Sequence, residues 1–396
     1  MFGKGLKIFS IAGFDVKIDF SWLIIGLLVT WSLADGIFPQ FYDGLATRTY
    51  WLMGLAGALG LFMSIVWHEL CHSLVARQYG LPMGGITLFI FGGVAEMTEE
   101  PPNPKAEFFM ALAGPVSSII LGLFLLIIAV GSKALTLADP ITGTFFYLGF
   151  INLVLAGFNL FPGFPLDGGR LLRSALWHWK NDLRWATRIA ANIGGGFGMA
   201  LIILGILQLI IPPANIIGGV WYFILGMFLR GAAKSAYQQV LLRQSLGGEK
   251  IRQFMNDHPI TVDSDTSLER LVEDYIYHYH HKVFPVLNDG KLYGLVHTRQ
   301  VKQFPREEWS DHTVDEIAEH SSDNNTISPD TDAMDALSRM HQTQTSRLLV
   351  VETGELVGIL SLKDLLGFFS MKVELEENEG EPTPPPQAVP QPPGRS

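Results

Sequence analysis

Six runs of apolar residues occupy about 19–37, 51–76, 106–131, 144–162, 189–211 and 214–230. Each is near the roughly 20 residues that an α-helix needs to cross hydrocarbon. This leaves the first part of the chain one solution, because backbone in lipid must satisfy its own hydrogen bonds and a helix does so within a single segment. The last run is short, and the fourth is interrupted near its end. The expected fold is a polytopic α-helical membrane domain over residues 1–235, followed by a linker at 236–249 and a soluble α+β part.

Composition agrees with two unlike parts. The chain has 396 residues, 48% hydrophobic and only 17% charged, too apolar for an ordinary soluble protein and too long for one domain. A net charge of −10 argues against nucleic acid as a partner, since phosphate contacts need a basic surface. The single cysteine, Cys71, excludes an intrachain disulfide framework and fits a reduced, cytoplasm-facing soluble part. Lys4, Lys7 and Lys17 lead into the first run without a small-residue cleavage site, so that run is expected to remain as a span.

When loops are assigned alternately to the two sides, one side gathers Arg77, Lys105, Arg170, Arg173, Lys180 and most other basic residues. The opposite side has Arg48 and Lys133. By the positive-inside rule both termini and the soluble part face the cytoplasm, in a multi-pass cell-membrane protein expected in a prokaryotic inner membrane.

Inside the second run stands His68-Glu69-Leu70-Cys71-His72. Three ionisable side chains at bilayer depth need a partner, and a metal supplies one. On a helix His68 and His72 share a face with Glu69 beside them. A catalytic zinc takes three protein ligands and keeps a fourth position for water. The remaining donor is Asp167, in the Pro- and Gly-broken stretch Asn159–Arg170, at matching depth if both elements end at the same face. With His68, His72 and Asp167 holding one Zn2+, Glu69 is free to move protons, and the reaction is peptide-bond hydrolysis. Two imidazoles and an aspartate also suit iron or cobalt. Asn159 can donate to a substrate carbonyl or cap the helix break. Cys71 is read as packing. Residues 86–95, a β-prone segment broken by Gly92 and Gly93, are too short to span and form either a re-entrant strand or a surface loop.

Taken together, His68–His72, the segment Phe91–Ala95, Ala113–Ser118 and Asn159–Gly169 resemble the site-2 protease family of intramembrane zinc metalloproteases. The resemblance implies Zn2+ on His68, His72 and Asp167, Glu69 as general base, and Asn159 as a group that positions the scissile peptide. It also implies that Gly92, Gly93 and Val94 belong to a strand holding the unwound substrate, usually a single-span membrane protein. No inserted PDZ domain separates His72 from Asp167. The chain resembles instead the subgroup with a cytoplasmic tandem CBS pair.

The soluble part contains an internal repeat. Phe284–Val296 aligns with Leu348–Leu360 at an offset of 64, and Thr261-Val262 with Thr326-Ile327 at 65. Each copy reads as strand, helix, strand, glycine turn, strand and helix, with copy one at 250–305 and copy two at 306–370. This is similar to a CBS pair, which implies ATP or AMP as ligand and a homo-oligomer formed through the module. Ser361 and Asp364 match the family's ribose and phosphate contacts, whereas copy one has His297 and Gln300 there. Residues 371–396, acidic and then proline-rich, are expected to be disordered. A CBS-regulated transporter or channel would explain the spans and the module but not the four residues of the metal motif. An inert adaptor binding transmembrane helices would be expected to have lost one of them.

Overall fold

The structure is a computed structural model that describes residues 5–97, 100–136, 138–212 and 216–377. The chain divides into two compact units, Met1–Val240 and Leu241–Ser396.

The first unit opens with a hairpin, β1 (Leu6–Ile11) and β2 (Phe14–Ile18). Ala12 and Gly13 form its turn, both at positive φ, as a tight two-residue hairpin requires. Helix α1 (Phe20–Phe41) and helix α2 (Thr47–Gln78) follow, then β3 (Met83–Phe89) and β4 (Gly92–Met97). The remaining helices are α3 (Pro104–Ala134), α4 (Asp139–Asn159), α5 (Asp167–Lys180), α6 (Leu183–Ile210) and α7 (Ile216–Leu246). All but α5 are long and apolar enough to cross a membrane, giving the six spans of a multi-pass membrane protein. Starts are set locally: Asp19 accepts from Ser21 N, Asn103 from Ala106 N with Pro104 next, and Asp182 from Trp185 N.

Two boundaries differ from expectation. The run at 214–230 is only part of α7, because residues 231–246 contain no proline and only one glycine and continue the helix. The segment 236–249, expected as a linker, is helical as far as Leu246, and the helix gives way to a turn in which Gly248 takes φ +82.

The β-prone segment 86–95 forms parts of β3 and β4, and the basic N-terminus joins it. The sheet has the order β1-β2-β3-β4. β2 runs parallel to β3 with Val16 opposite Ile86, and β3 antiparallel to β4 with Thr87 opposite Val94. Phe14, Val16, Ile86 and Leu88 pack on Phe62, Val66 and Leu70, a stripe spaced four apart on α2. The sheet thus lies along the helix that carries the histidines, and β4 is its edge strand.

In the second unit each repeat supplies a sheet. Copy one has β5 (Val262–Asp263), a helical segment α8 (268–279), β6 (Val283–Asn288), β7 (Lys291–His297) and β8 (Glu319–His320). Copy two has β9 (Thr326–Ile327), α9 (Ala333–Thr343), β10 (Arg347–Glu352), β11 (Glu355–Ser361) and α10 (Leu362–Glu377). The final helix expected in copy one is reduced to a 3-10 turn at Gln300–Gln303, since Pro305 disfavours helical backbone just before it. The copies also exchange segments. Ile251, Phe254 and Met255 pack with Leu348, Val350 and Leu360 of copy two, while Val314 and Ile317 join the core of copy one. Val283, Leu295 and Leu349 form a small core between the two sheets.

The tail departs from expectation as well. Residues 371–377 complete α10 rather than being disordered, for Met371, Lys372 and the glutamates that follow are good helix formers. The rest of the acidic and proline-rich stretch lies outside the described residues.

Candidate metal centre

Helix α2 brings His68 and His72 to one face, and the polar edges of both rings meet Asp167 at the first position of α5. His68 Nε2 lies 3.0 Å from Asp167 Oδ2, and His72 Nε2 lies 3.1 Å from the same oxygen. The two Nε2 atoms are 3.1 Å apart. Among the described residues this is the one group of three or more His, Cys, Asp or Glu side chains whose ligand atoms converge as a metal requires. Both histidines are buried, at 3% and 8% exposure. Cys71 is half-buried and outside the group.

The opposite edges of the rings are already committed. His72 Nδ1 sits 2.6 Å from the carbonyl oxygen of Met110, and His68 Nδ1 sits 2.9 Å from Ser118 Oγ. A carbonyl only accepts, so Nδ1 of neutral His72 carries the proton and Nε2 presents its lone pair. Such outer hydrogen bonds orient metal-ligating imidazoles. Met110, Gly114 and Ser118 are spaced four apart on α3, so one stripe offers an acceptor, a gap and a hydroxyl. A β-carbon at Gly114 would stand 2.2 Å from His72 Nε2 and 2.6 Å from His68 Nε2, so only glycine lets α3 approach the ring edges this closely. Two imidazole lone pairs and a carboxylate oxygen fit a catalytic zinc, which takes nitrogen and oxygen donors and leaves one position open.

A cavity of about 600 Å3 adjoins the donors and is lined by Glu69, Asn159, Phe91, Gly92, Gly93 and Asp167 among others. Its size is that of a ligand site. Gly93 lies so close to Glu69 that a β-carbon there would fall 2.6 Å from Glu69 Cγ. The backbone of β4 therefore passes directly over the carboxylate beside the histidines. Asn159 is the last residue of α4 and lines the cavity, and its side-chain amide makes no hydrogen bond among the described residues. Val94 pairs with Thr87 through its backbone on β4.

The proposed nucleotide contacts in the second unit are placed differently. Ser361 Oγ accepts from Asp364 N at 3.2 Å, and Asp364 Oδ2 accepts from Ser361 N at 3.1 Å and from Ser361 Oγ at 2.6 Å. This is a capping box at the start of α10. His297 and Gln300 repeat half of it, with His297 N donating to Gln300 Oε1 at 2.6 Å. Burial and the Arg299 charge hold His297 below its ordinary pKa.

Sequence reasoning did not assign the two groups that hold the rings, the Met110 carbonyl and the Ser118 hydroxyl. Ser118 had a signal in its helical register with Gly114. The Met110 carbonyl had none, since every residue has one.

Known proteins resemble the chain along most of its length. Residues 56–139 and 131–204 match peptidase family M50, and residues 251–306 and 314–370 match the CBS domain. Rip3 of Mycobacterium tuberculosis is 35% identical over 362 residues, covering 90% of both chains. Zinc metalloprotease MJ0392 of Methanocaldococcus jannaschii is 33% identical over 317 residues, covering 80% of this chain and 85% of that one. A solved site-2 protease from Methanocaldococcus jannaschii is similar with 28% identity and a TM-score of 0.41, over 59% of this chain and 95% of its own. With this coverage and the histidine-aspartate centre in place, the chain belongs to peptidase family M50, the site-2 protease family of zinc metalloproteases, in a form that carries a tandem CBS pair.

Proposed function

We propose that the protein is an intramembrane zinc endopeptidase that cuts a peptide bond in or near the transmembrane segment of a single-span membrane protein. The observation that carries this reading is the convergence of His68 Nε2, His72 Nε2 and Asp167 Oδ2 beside a cavity that Glu69, Asn159 and the β4 glycines also line. His68, His72 and Asp167 are the ligands. A zinc ion held by them supplies a Lewis acid that brings the pKa of a water toward about 7. Glu69 takes a proton from the attacking water and returns it to the leaving amine, the role of a carboxylate placed beside the ligands. Asn159, with its amide uncommitted at the cavity wall, donates to the substrate carbonyl oxygen as charge develops there.

A transmembrane helix hides its peptide groups in its own hydrogen bonds, so it must unwind and pair elsewhere before hydrolysis. β4 is an edge strand next to Glu69, and Gly92, Gly93 and Val94 offer it a backbone to add to. In this reading the strand is re-entrant and reached from the cytoplasmic side; the excess of basic residues in the loops on one side supports a cytoplasmic location for both termini and the CBS module. The module binds adenine nucleotide near Ser361 and Asp364, and through it modulates cleavage and joins copies of the chain. Support for the nucleotide rests on the match to the CBS domain alone.

The test is a comparison of membrane-protein fragments in cells that make wild type or Glu69→Gln. Uncleaved single-span proteins are expected to accumulate with Glu69→Gln, with cuts in the wild type mapping inside or beside the span. Identical fragment patterns would overturn the reading.

A further inference from the structure

Arg173 lies on α5, fewer than two turns after Asp167, and is only 5% exposed. Its Nε donates to Glu107 Oε1 at 2.6 Å, and a terminal nitrogen contacts the same oxygen. That nitrogen also donates to Glu100 Oε2 at 3.2 Å. The guanidinium carbon stands 5.0 Å over the ring of Phe164, in the turn that leads to Asp167. Glu107 is fully buried in the first turn of α3, and its Oε2 has no hydrogen-bond partner among the described residues.

Three elements of the site meet at this one side chain. Glu107 stands one turn before Met110, whose carbonyl orients His72. Arg173 shares its helix with Asp167. Glu100 follows β4, the strand beside Glu69. Burying such a pair yields little stability over an apolar pair of the same volume, whereas the planar fork of an arginine fixes direction between two carboxylates.

We infer that Arg173 is a positioning residue: its guanidinium sets Asp167 against the two histidines and ties Glu100, which follows β4 in the chain, to the same helix. The inference rests on the metal site proposed above. It makes the ligand set and the substrate strand one mechanical unit.

The test uses the full-length protein in micelles, with zinc affinity read by competition with a chromophoric chelator and KM read on a single-span substrate that the wild type cleaves. Arg173→Met is expected to weaken zinc binding by up to about 10-fold, less than losing a group hydrogen-bonded to a ligand itself, because Arg173 bonds to Glu107 and Glu100 and touches no ligand. Because that variant leaves Glu107 buried and unpaired, the double variant Arg173→Met with Glu107→Leu is the deciding one. It is expected to fold and still bind zinc weakly, and wild-type affinity in it would overturn the inference. Arg173→Lys keeps the charge but cannot span both carboxylates, so it should fall between; wild-type affinity and KM together would also contradict the proposal. Glu100→Gln should bind zinc as the wild type does and raise KM more than it lowers kcat, and an unchanged KM would remove β4 from the account. A wild type that binds no zinc would overturn the metal site itself, a result separate from any difference among the variants.

Discussion

The metal centre and the Ser361–Asp364 pair are both short polar patterns matched to a known family, yet the fold treats them in opposite ways. At the centre, each imidazole commits one nitrogen to α3 and turns the other toward Asp167, a residue 99 positions from His68 in sequence. At the start of α10, Ser361 and Asp364 bond to each other across three positions and complete a helix cap. Polar atoms that local structure leaves uncommitted, and that distant elements aim at one point, indicate chemistry. Polar atoms that satisfy each other locally already have a structural reason to be present.

The contrast can be broken at its strongest point first. Gly114→Val should abolish zinc binding while the helices still form, because the added side chain would occupy the space of both Nε2 atoms; zinc content by elemental analysis, with helicity by circular dichroism, checks it. Next in size, Ser118→Ala should leave the ligands in place but weaken zinc binding by about 10-fold or more through loss of the His68 support, measured by chelator competition. The smallest effects belong to the module. Asp364→Ala should cost about 0.3–1.5 kcal/mol of stability as the lost half of the capping box, in the ligand-free protein. If Asp364 also contacts nucleotide, the same change removes the ATP-dependent shift in melting temperature, whereas Gln300→Ala in copy one lowers stability and keeps the shift. Loss of the shift in neither variant would leave both patterns as caps alone.

Most of the membrane unit was legible because a span needs a long apolar run and little else. The same property hid the C-terminal end of α7, where a more polar extension over residues 231–246 carries no membrane signal. The β1–β2 hairpin was not legible, since Lys7 and Lys17 read as basic flanks and strand pairing with β3 is a contact far along the chain. In the site, His68, Glu69, His72 and Asp167 stood out as charges in an apolar setting. Arg173 was counted only among cytoplasmic charges. Nothing in a count of basic residues tells a solvated arginine from one buried against Glu107. The segment exchange between the CBS copies was likewise hidden, because Ile251 and Val314 are ordinary apolar residues whose partners depend on tertiary packing.

The most direct measurement of the central claim is X-ray absorption at the zinc edge on the purified, full-length protein. The account predicts about one zinc per chain, bound by two imidazoles and oxygen at about 2.0–2.2 Å with no sulfur, and loss of the metal signal in Asp167→Ala. A sulfur shell near 2.3 Å, which would bring in Cys71, or an unchanged signal in Asp167→Ala would contradict it.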